Sequence, residues 1–212
     1  MTETQPGLRE LRKRETRQKI SDTATRMFIE RGFDAVTIAE IAKEAQVAKM
    51  TVTNYFPRKE DLVFDMQDEF TRSLARAVRD RRVGESAAEA LRRDFLERLI
   101  DQDPSIGFTG QRFGTMIAAS APLTARLREF YEDRETALAE TLTEETKAAP
   151  DDPTPRIAAA QLAGTLRVLF DDIKRRNIAG DHPDAIVHEV TLASATAFAI
   201  LERGLGDYAL KR

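Results

Sequence analysis

The chain has 212 residues, 42% of them hydrophobic and 33% charged, so it holds enough apolar side chains for a core and is not a disordered chain. It has no cysteine, which excludes disulfides and thiolate metal sites and is compatible with a reducing cytoplasm. The net charge of −3 is unevenly spread: residues 1–60 hold 12 Lys/Arg against 9 Asp/Glu, and the remainder hold 21 against 27.

The basic excess concentrates between Arg9 and Lys19, where Arg9, Arg12, Lys13, Arg14, Arg17 and Lys19 face only Glu10 and Glu15. A weakly basic module on an acidic one suits an N-terminal end that meets phosphates; the same pattern also serves as a solubilising tail. The N-terminus is polar, with no apolar stretch of signal-peptide type, and no apolar run is expected to approach the length of a membrane span. A cytoplasmic protein without membrane partners is expected.

In chain order, Ile20, Ala24, Met27 and Phe28 recur at helical spacing, and Gly32 stands where a C-terminal cap belongs. Thr37-Ile38-Ala39-Glu40 has the form of a capping box. Ile38, Ile41, Ala42 and Ala45 give the short helix that follows one apolar face. A third short helix is predicted from about Ala48, ending before Pro57 because the residue before a proline disfavours helical backbone. A long fourth helix is predicted from Lys59 to Arg82, broken at Val83-Gly84. Further helices are predicted at about 86–102, 104–119, 121–148, 153–178 and 183–204, punctuated by Pro- and Gly-containing breaks. The expected fold is all-α, with about nine helices.

Two short helices joined through Gln46-Val47 have helix-turn-helix spacing, in which the second helix enters the major groove. Ile38, Ile41, Ala42, Val47, Val52 and Phe56 fit inward positions. Lys49, Thr51, Thr53, Asn54 and Tyr55 fit outward ones. Hydroxyls and a phenol suit phosphate contacts. Lys49 can reach a guanine edge, Asn54 an adenine edge, and the methyls of Met50 or Thr53 a thymine methyl.

The run FIERGFDAVTIAEIAKEAQVAKMTVTNYFPRKEDL resembles the DNA-binding region of tetracycline-repressor-type (TetR family) transcriptional regulators. The matching elements are Phe28, Gly32 and Phe33; Thr37, Ile41 and Ala42; and Val47, Thr51, Tyr55, Phe56, Lys59, Glu60 and Leu62, within residues 17–62. The chain departs from the family pattern at Gln46, Ala48, Met50 and Thr53, which leaves the operator sequence open. The resemblance implies that Thr37, Thr51, Tyr55 and Lys59 hold phosphates and that Lys49, Met50 and Thr53 meet bases; Asn54 joins them from its outward position. It implies a DNA-binding domain over 1–58, with 1–8 as a disordered arm, and an effector-binding and dimerisation domain over 59–212. The implied protein is a homodimeric, ligand-responsive repressor of double-stranded DNA, with no cofactor.

Within the second part, Leu162, Leu166, Leu169 and Ile173 form a stripe, as do Val190, Ala193, Ala197 and Leu201; a helix apolar on more than one face needs two partners, so these are expected at a dimer interface. Gly107, Gly110 and Gly114 fall inside a predicted helix and weaken it. Phe108, Arg112 and Met116 are expected on one face of it, with Arg112 placed either to pair an anionic ligand or at the surface. Phe113, Phe130, Tyr131 and Phe170 are further candidate pocket residues. Arg167 and Asp171 are spaced as an ion pair. Neither His182 nor His188 makes a zinc motif, and no nucleophile elbow or phosphate-binding glycine loop is present, so no enzyme is expected. The alternative reading is a helical protein–protein adaptor whose basic N-terminus binds an acidic partner.

Overall fold

A computed structural model describes residues 7–211; the arm expected over 1–8 falls almost wholly outside the described residues. Nine α-helices and no strand occur among them. They are α1 (Leu8–Arg31), α2 (Ile38–Glu44), α3 (Lys49–Tyr55), α4 (Gln67–Arg79), α5 (Ala87–Ile100), α6 (Gln111–Ala119), α7 (Ala121–Thr146), α8 (Thr154–Ala179) and α9 (Pro183–Leu205). The chain divides into two compact units. One runs to Gln67 and takes in Met116–Thr124; the other comprises Asp68–Thr115 and the chain from Ala125 on.

In the first unit, Ile20, Ala24, Met27 and Phe28 put one face of α1 into a core with Val36, Ile41, Ala42, Val52, Phe56 and Leu62. Gly32 ends α1 at φ 86°, its N–H donating to the Phe28 carbonyl, a backbone that a side chain would resist. The turn between α2 and α3 closes with the Val47 N–H on the Ala42 carbonyl, 2.9 Å, and puts Gln46 in the left-handed region at φ 55°. Ala48 caps α3 without a side-chain bond.

The expected long helix from Lys59 to Arg82 is corrected. A 3-10 turn at Glu60–Leu62 comes first, and α4 begins only at Gln67. Leu62 and Val63 are drawn into the core of the first unit, and the buried Ser21 hydroxyl donates to the Leu62 carbonyl at 3.1 Å. The expected helix over 104–119 is also shorter. Gly107 and Gly110 lie at φ 121° and 79° before α6, which starts at Gln111. Only Gly114 is helical, and a Cβ there would come within 2.9 Å of Ile178, so it serves close packing on α8.

In the second unit α5, α8 and α9 pack on one another around Leu91, Phe95, Leu162, Leu166, Phe170, Ile186, Val190 and Phe198. Arg81, almost fully buried, ties the end of α4 to α7 and the C-terminal segment: it pairs with Glu145 at 2.7 Å and donates to the Ala209 carbonyl at 3.0 Å. α9 is long and apolar enough to cross a membrane by length and composition, contrary to expectation. Of its apolar side chains, Ile186, Val190, Phe198 and Leu201 lie in the core, while Leu192 and Ile200 are exposed.

The same packing buries most of the residues expected at a dimer face. Leu162, Leu166, Leu169, Ile173, Val190 and Leu201 are buried in the unit's own core, because the largest apolar side chains of α8 and α9 are taken up between these helices and α5. Ala197 is half-buried and Ala193 exposed. The apolar residues left exposed are Ile157 and Val168 on α8, and Leu192 and Ile200 on α9.

Candidate functional site

α3 carries Lys49, Met50, Thr51, Val52, Thr53, Asn54 and Tyr55, with no acidic residue among them. Val52 is buried and seats the helix. Lys49, Met50 and Asn54 are exposed; Thr51, Thr53 and Tyr55 are half-buried. Met50 is 69% exposed, unusual for a large apolar side chain on a short helix. The Thr53 hydroxyl is turned back onto its own helix, donating to the Met50 carbonyl at 3.1 Å. Such local bonding of a threonine hydroxyl leaves its methyl as the outward group.

Thr37 forms the predicted capping box. Its hydroxyl accepts from the Glu40 N–H at 3.2 Å and donates to the Glu40 carboxylate at 2.7 Å, while its own N–H donates to the same carboxylate at 2.8 Å. Arg31 holds the other carboxylate oxygen at 2.6 Å. The Arg31 bond, then those from Thr37, hold the Glu40 carboxyl down at about 2. Thr37 is exposed at the start of α2, but its hydroxyl is already shared with Glu40.

Lys59 is committed in the same way. Its Nζ donates to the Phe33 carbonyl at 2.6 Å and lies 4.3 Å from the centre of the Phe33 ring and 5.6 Å from that of Phe28. Burial pushes its pKa down, against the pull of Asp34, Glu60 and Glu40. An ammonium has three donors, so the seat on Phe33 leaves donors for a further oxygen.

Arg17 was legible only as part of the basic cluster. In the structure it donates to the Tyr55 carbonyl at 2.9 Å and the Asp65 carbonyl at 3.3 Å, with its guanidinium 4.4 Å from the Phe56 ring centre. It ties the end of α3 to the segment before α4. The exposed cations of the cluster are Arg9, Arg12, Lys13, Arg14 and Lys19, all on α1.

The second-unit candidates separate. Tyr131 and Phe170 come together with two aromatics the sequence did not single out: Phe70 meets Tyr131 edge-on at 5.6 Å, and Phe95 stacks on Phe170 at 5.8 Å. Phe108 packs at the margin of the same core but precedes α6, so the face it was expected to share with Arg112 and Met116 does not form. Arg112 is exposed, and Phe113 half-buried. Met116 is buried within the first unit. Phe130 is buried beneath Arg126, 4.3 Å from its ring centre. Asp171 pairs with Lys174 at 2.6 Å rather than with Arg167.

The cation inside the aromatic cluster is Arg134 of α7, 4% exposed. A signal for it was present. Leu127, Phe130, Arg134, Leu138 and Leu142 repeat at helical spacing, so an arginine interrupts an apolar stripe.

This is a helix-turn-helix module on a chain that is all-α among the described residues. Residues 20–66 match the model of the tetR family of bacterial regulatory proteins. The chain is similar to the HTH-type transcriptional regulator YuxN of Bacillus subtilis, 30% identical over 81 residues, which are 38% of this chain and only 28% of that protein. Among solved structures it is similar to Salmonella enterica GusR, at 20% identity over 91% of this chain and 96% of that one, with a TM-score of 0.56. NalD, the secondary repressor of the MexAB-OprM multidrug efflux pump in Pseudomonas aeruginosa, is likewise similar, at 20% identity over 87% of this chain and 95% of that one, TM-score 0.53. At such identities the likeness is one of fold.

Proposed function

We propose that the protein is a ligand-responsive, DNA-binding transcriptional regulator of the cytoplasm, a repressor released from a palindromic operator by a small-molecule effector. The observation that carries this is α3, whose exposed Lys49, Met50 and Asn54 stand on a helix free of acidic residues, inside a segment that matches the tetR family. Lys49 and Met50 read bases, with Asn54 and the Thr53 methyl beside them. Thr37, Thr51, Tyr55 and Lys59 set the register on phosphates.

A homodimer presents two such helices to two half-sites one helical turn or a multiple of it apart. Ile157, Val168, Leu192 and Ile200 are the apolar residues available for that contact. Effector binding in the second unit shifts α4, which leads the chain out of the first unit, and alters the spacing of the recognition helices. Coupling of this kind requires unequal effector affinity for the two states.

Anisotropy titrations on a duplex taken from upstream of its own gene test the reading. One sequence is bound in preference to scrambled duplexes, and log affinity falls linearly with log salt. Lys49→Ala relaxes discrimination at one base pair, by about 1–3 kcal/mol. Equal, weak binding to every duplex would favour the adaptor reading.

A further inference from the structure

Arg134 is a buried cation with no carboxylate in ion-pair contact among the described residues. Its guanidinium lies between Phe70 of α4 and Phe170 of α8, 4.5 and 4.7 Å from the ring centres. Its Nε is buried and has no hydrogen-bond partner among the described residues. The cations around it are matched. Arg98 is held by Asp94 and Asp103, both at 2.9 Å, and Lys174 by Asp171. The Tyr131 phenol stays neutral, its pKa pushed up by burial. By count the three carboxylates balance the three cations, and Asp94 acts on Arg134 through space, but none of them accepts a hydrogen bond from the Arg134 Nε.

Burial pushes the Arg134 guanidinium down to about 9, which still leaves it charged at neutral pH. An unpaired buried charge is destabilising unless something answers it. The two ring faces recover part of that loss, but neither offers an acceptor lone pair to the Nε–H.

A second orphan lies on the same helix. The Thr141 hydroxyl is fully buried with no hydrogen-bond partner among the described residues. Thr136, Thr143 and Thr146, on the same helix, each donate to the carbonyl four residues back. Arg134 and Thr141 are seven residues apart, hence on one face and about 10 Å apart along the axis. Leu138 lies between them and Leu142 beside them, both buried.

We propose that Arg134 anchors the carboxylate of an amphiphilic organic acid, with the acid's apolar body against Phe70, Tyr131 and Phe170 and Thr141 as a second polar contact. The planar guanidinium fork matches a carboxylate. That this acid is the effector rests on the regulator reading. That the acid binds does not.

The test is calorimetric titration of the full-length protein with 2-naphthoate and with decanoate, each against its neutral amide. At least one acid binds tenfold or more tightly than its amide. Arg134→Met abolishes that preference and raises the Tm of the ligand-free protein, because it removes an unanswered charge. Arg134→Lys keeps the charge, loses the fork and reduces the preference, while Arg112→Ala retains it. No preference in the wild type, as when buried water alone satisfies Arg134, overturns the inference. So does a preference that survives Arg134→Met or Arg134→Lys, or a lower ligand-free Tm for Arg134→Met. Duplex titrations on the same samples separate the two readings. Salt-dependent operator binding without acid preference sinks only this inference; acid binding through Arg134 without any duplex binding sinks only the regulator.

Discussion

Two cations in this molecule each lie over a pair of phenylalanine rings, and they have opposite fates. Lys59, in the first unit, sits over Phe28 and Phe33 and donates to the Phe33 carbonyl. Arg134, in the second, sits between Phe70 and Phe170, and its Nε finds no acceptor among the described residues. Arg17 repeats the first pattern, lying over Phe56 with two carbonyl oxygens in reach. Where cation, ring and carbonyl come together, the cation closes a helix end and the structure is complete. Where ring and cation meet without an oxygen, the protein carries an open valence. The first arrangement builds a rigid surface for another molecule to lie against; the second holds a place for one inside.

That contrast fixes the sign of a matched pair of substitutions. Arg134→Met is expected to stabilise the ligand-free protein. Lys59→Met is expected to destabilise the first unit by about 1.5–3 kcal/mol, the range for losing a hydrogen bond from a charged donor when the methylene packing is largely kept. Amide hydrogen exchange across α1–α3 reads this directly, since it reports opening of that unit without requiring the whole chain to unfold in one step. If Lys59 also holds a phosphate, Lys59→Met weakens binding to all duplexes alike and lowers the salt slope by about one. Faster exchange with unaltered duplex affinity would leave Lys59 a purely structural clamp.

The first unit was largely legible in the sequence because its signals are local. The Thr37–Glu40 capping box, the Gly32 stop and the break before Pro57 each depend on residues within a few positions, and each stands where expected. The misplaced start of α4 has a long-range cause. Leu62 and Val63 continue a helical pattern, yet they are claimed by the first unit's core, and the chain pauses to deliver them. Most of the expected dimer stripe is buried within its own unit for a related reason. Periodicity marks an apolar face without saying whether a neighbouring helix of the same chain will take it. Arg112 and Arg134 show the limit most plainly. Both are arginines with apolar neighbours in sequence, and only the packing of α4 and α8 against α7 buries one and exposes the other.

The first unit still carries strain in its backbone, at the turn that sets α3. Gln46 is held at φ 55°, where a side chain is disfavoured by roughly 1–2 kcal/mol and glycine is not. Gln46→Gly recovers that but adds freedom to the unfolded chain, so a net gain of about 0.5–1 kcal/mol is expected. Slower amide exchange in α2 and α3, with none in α8 or α9, would show it. Unchanged or faster exchange would mean that the glutamine side chain contributes more to the turn than its backbone angle costs.

The smallest effect separates the two regions by pH. Glu40 is held at about 2, below its ordinary 4.5, by Arg31 first and then Thr37. A depressed carboxylate favours the folded form while it is ionised. Its contribution is therefore complete above about 4.5 and disappears as the pH falls through about 2. Glu40 and Arg31 are both substantially exposed, so the effect is modest and shrinks with added salt. Between pH 5 and 2 the first turn of α2 should lose amide protection, once the intrinsic pH dependence of exchange is removed. Glu40→Gln should flatten that profile. Arg134 titrates near 9 and stays charged throughout this window.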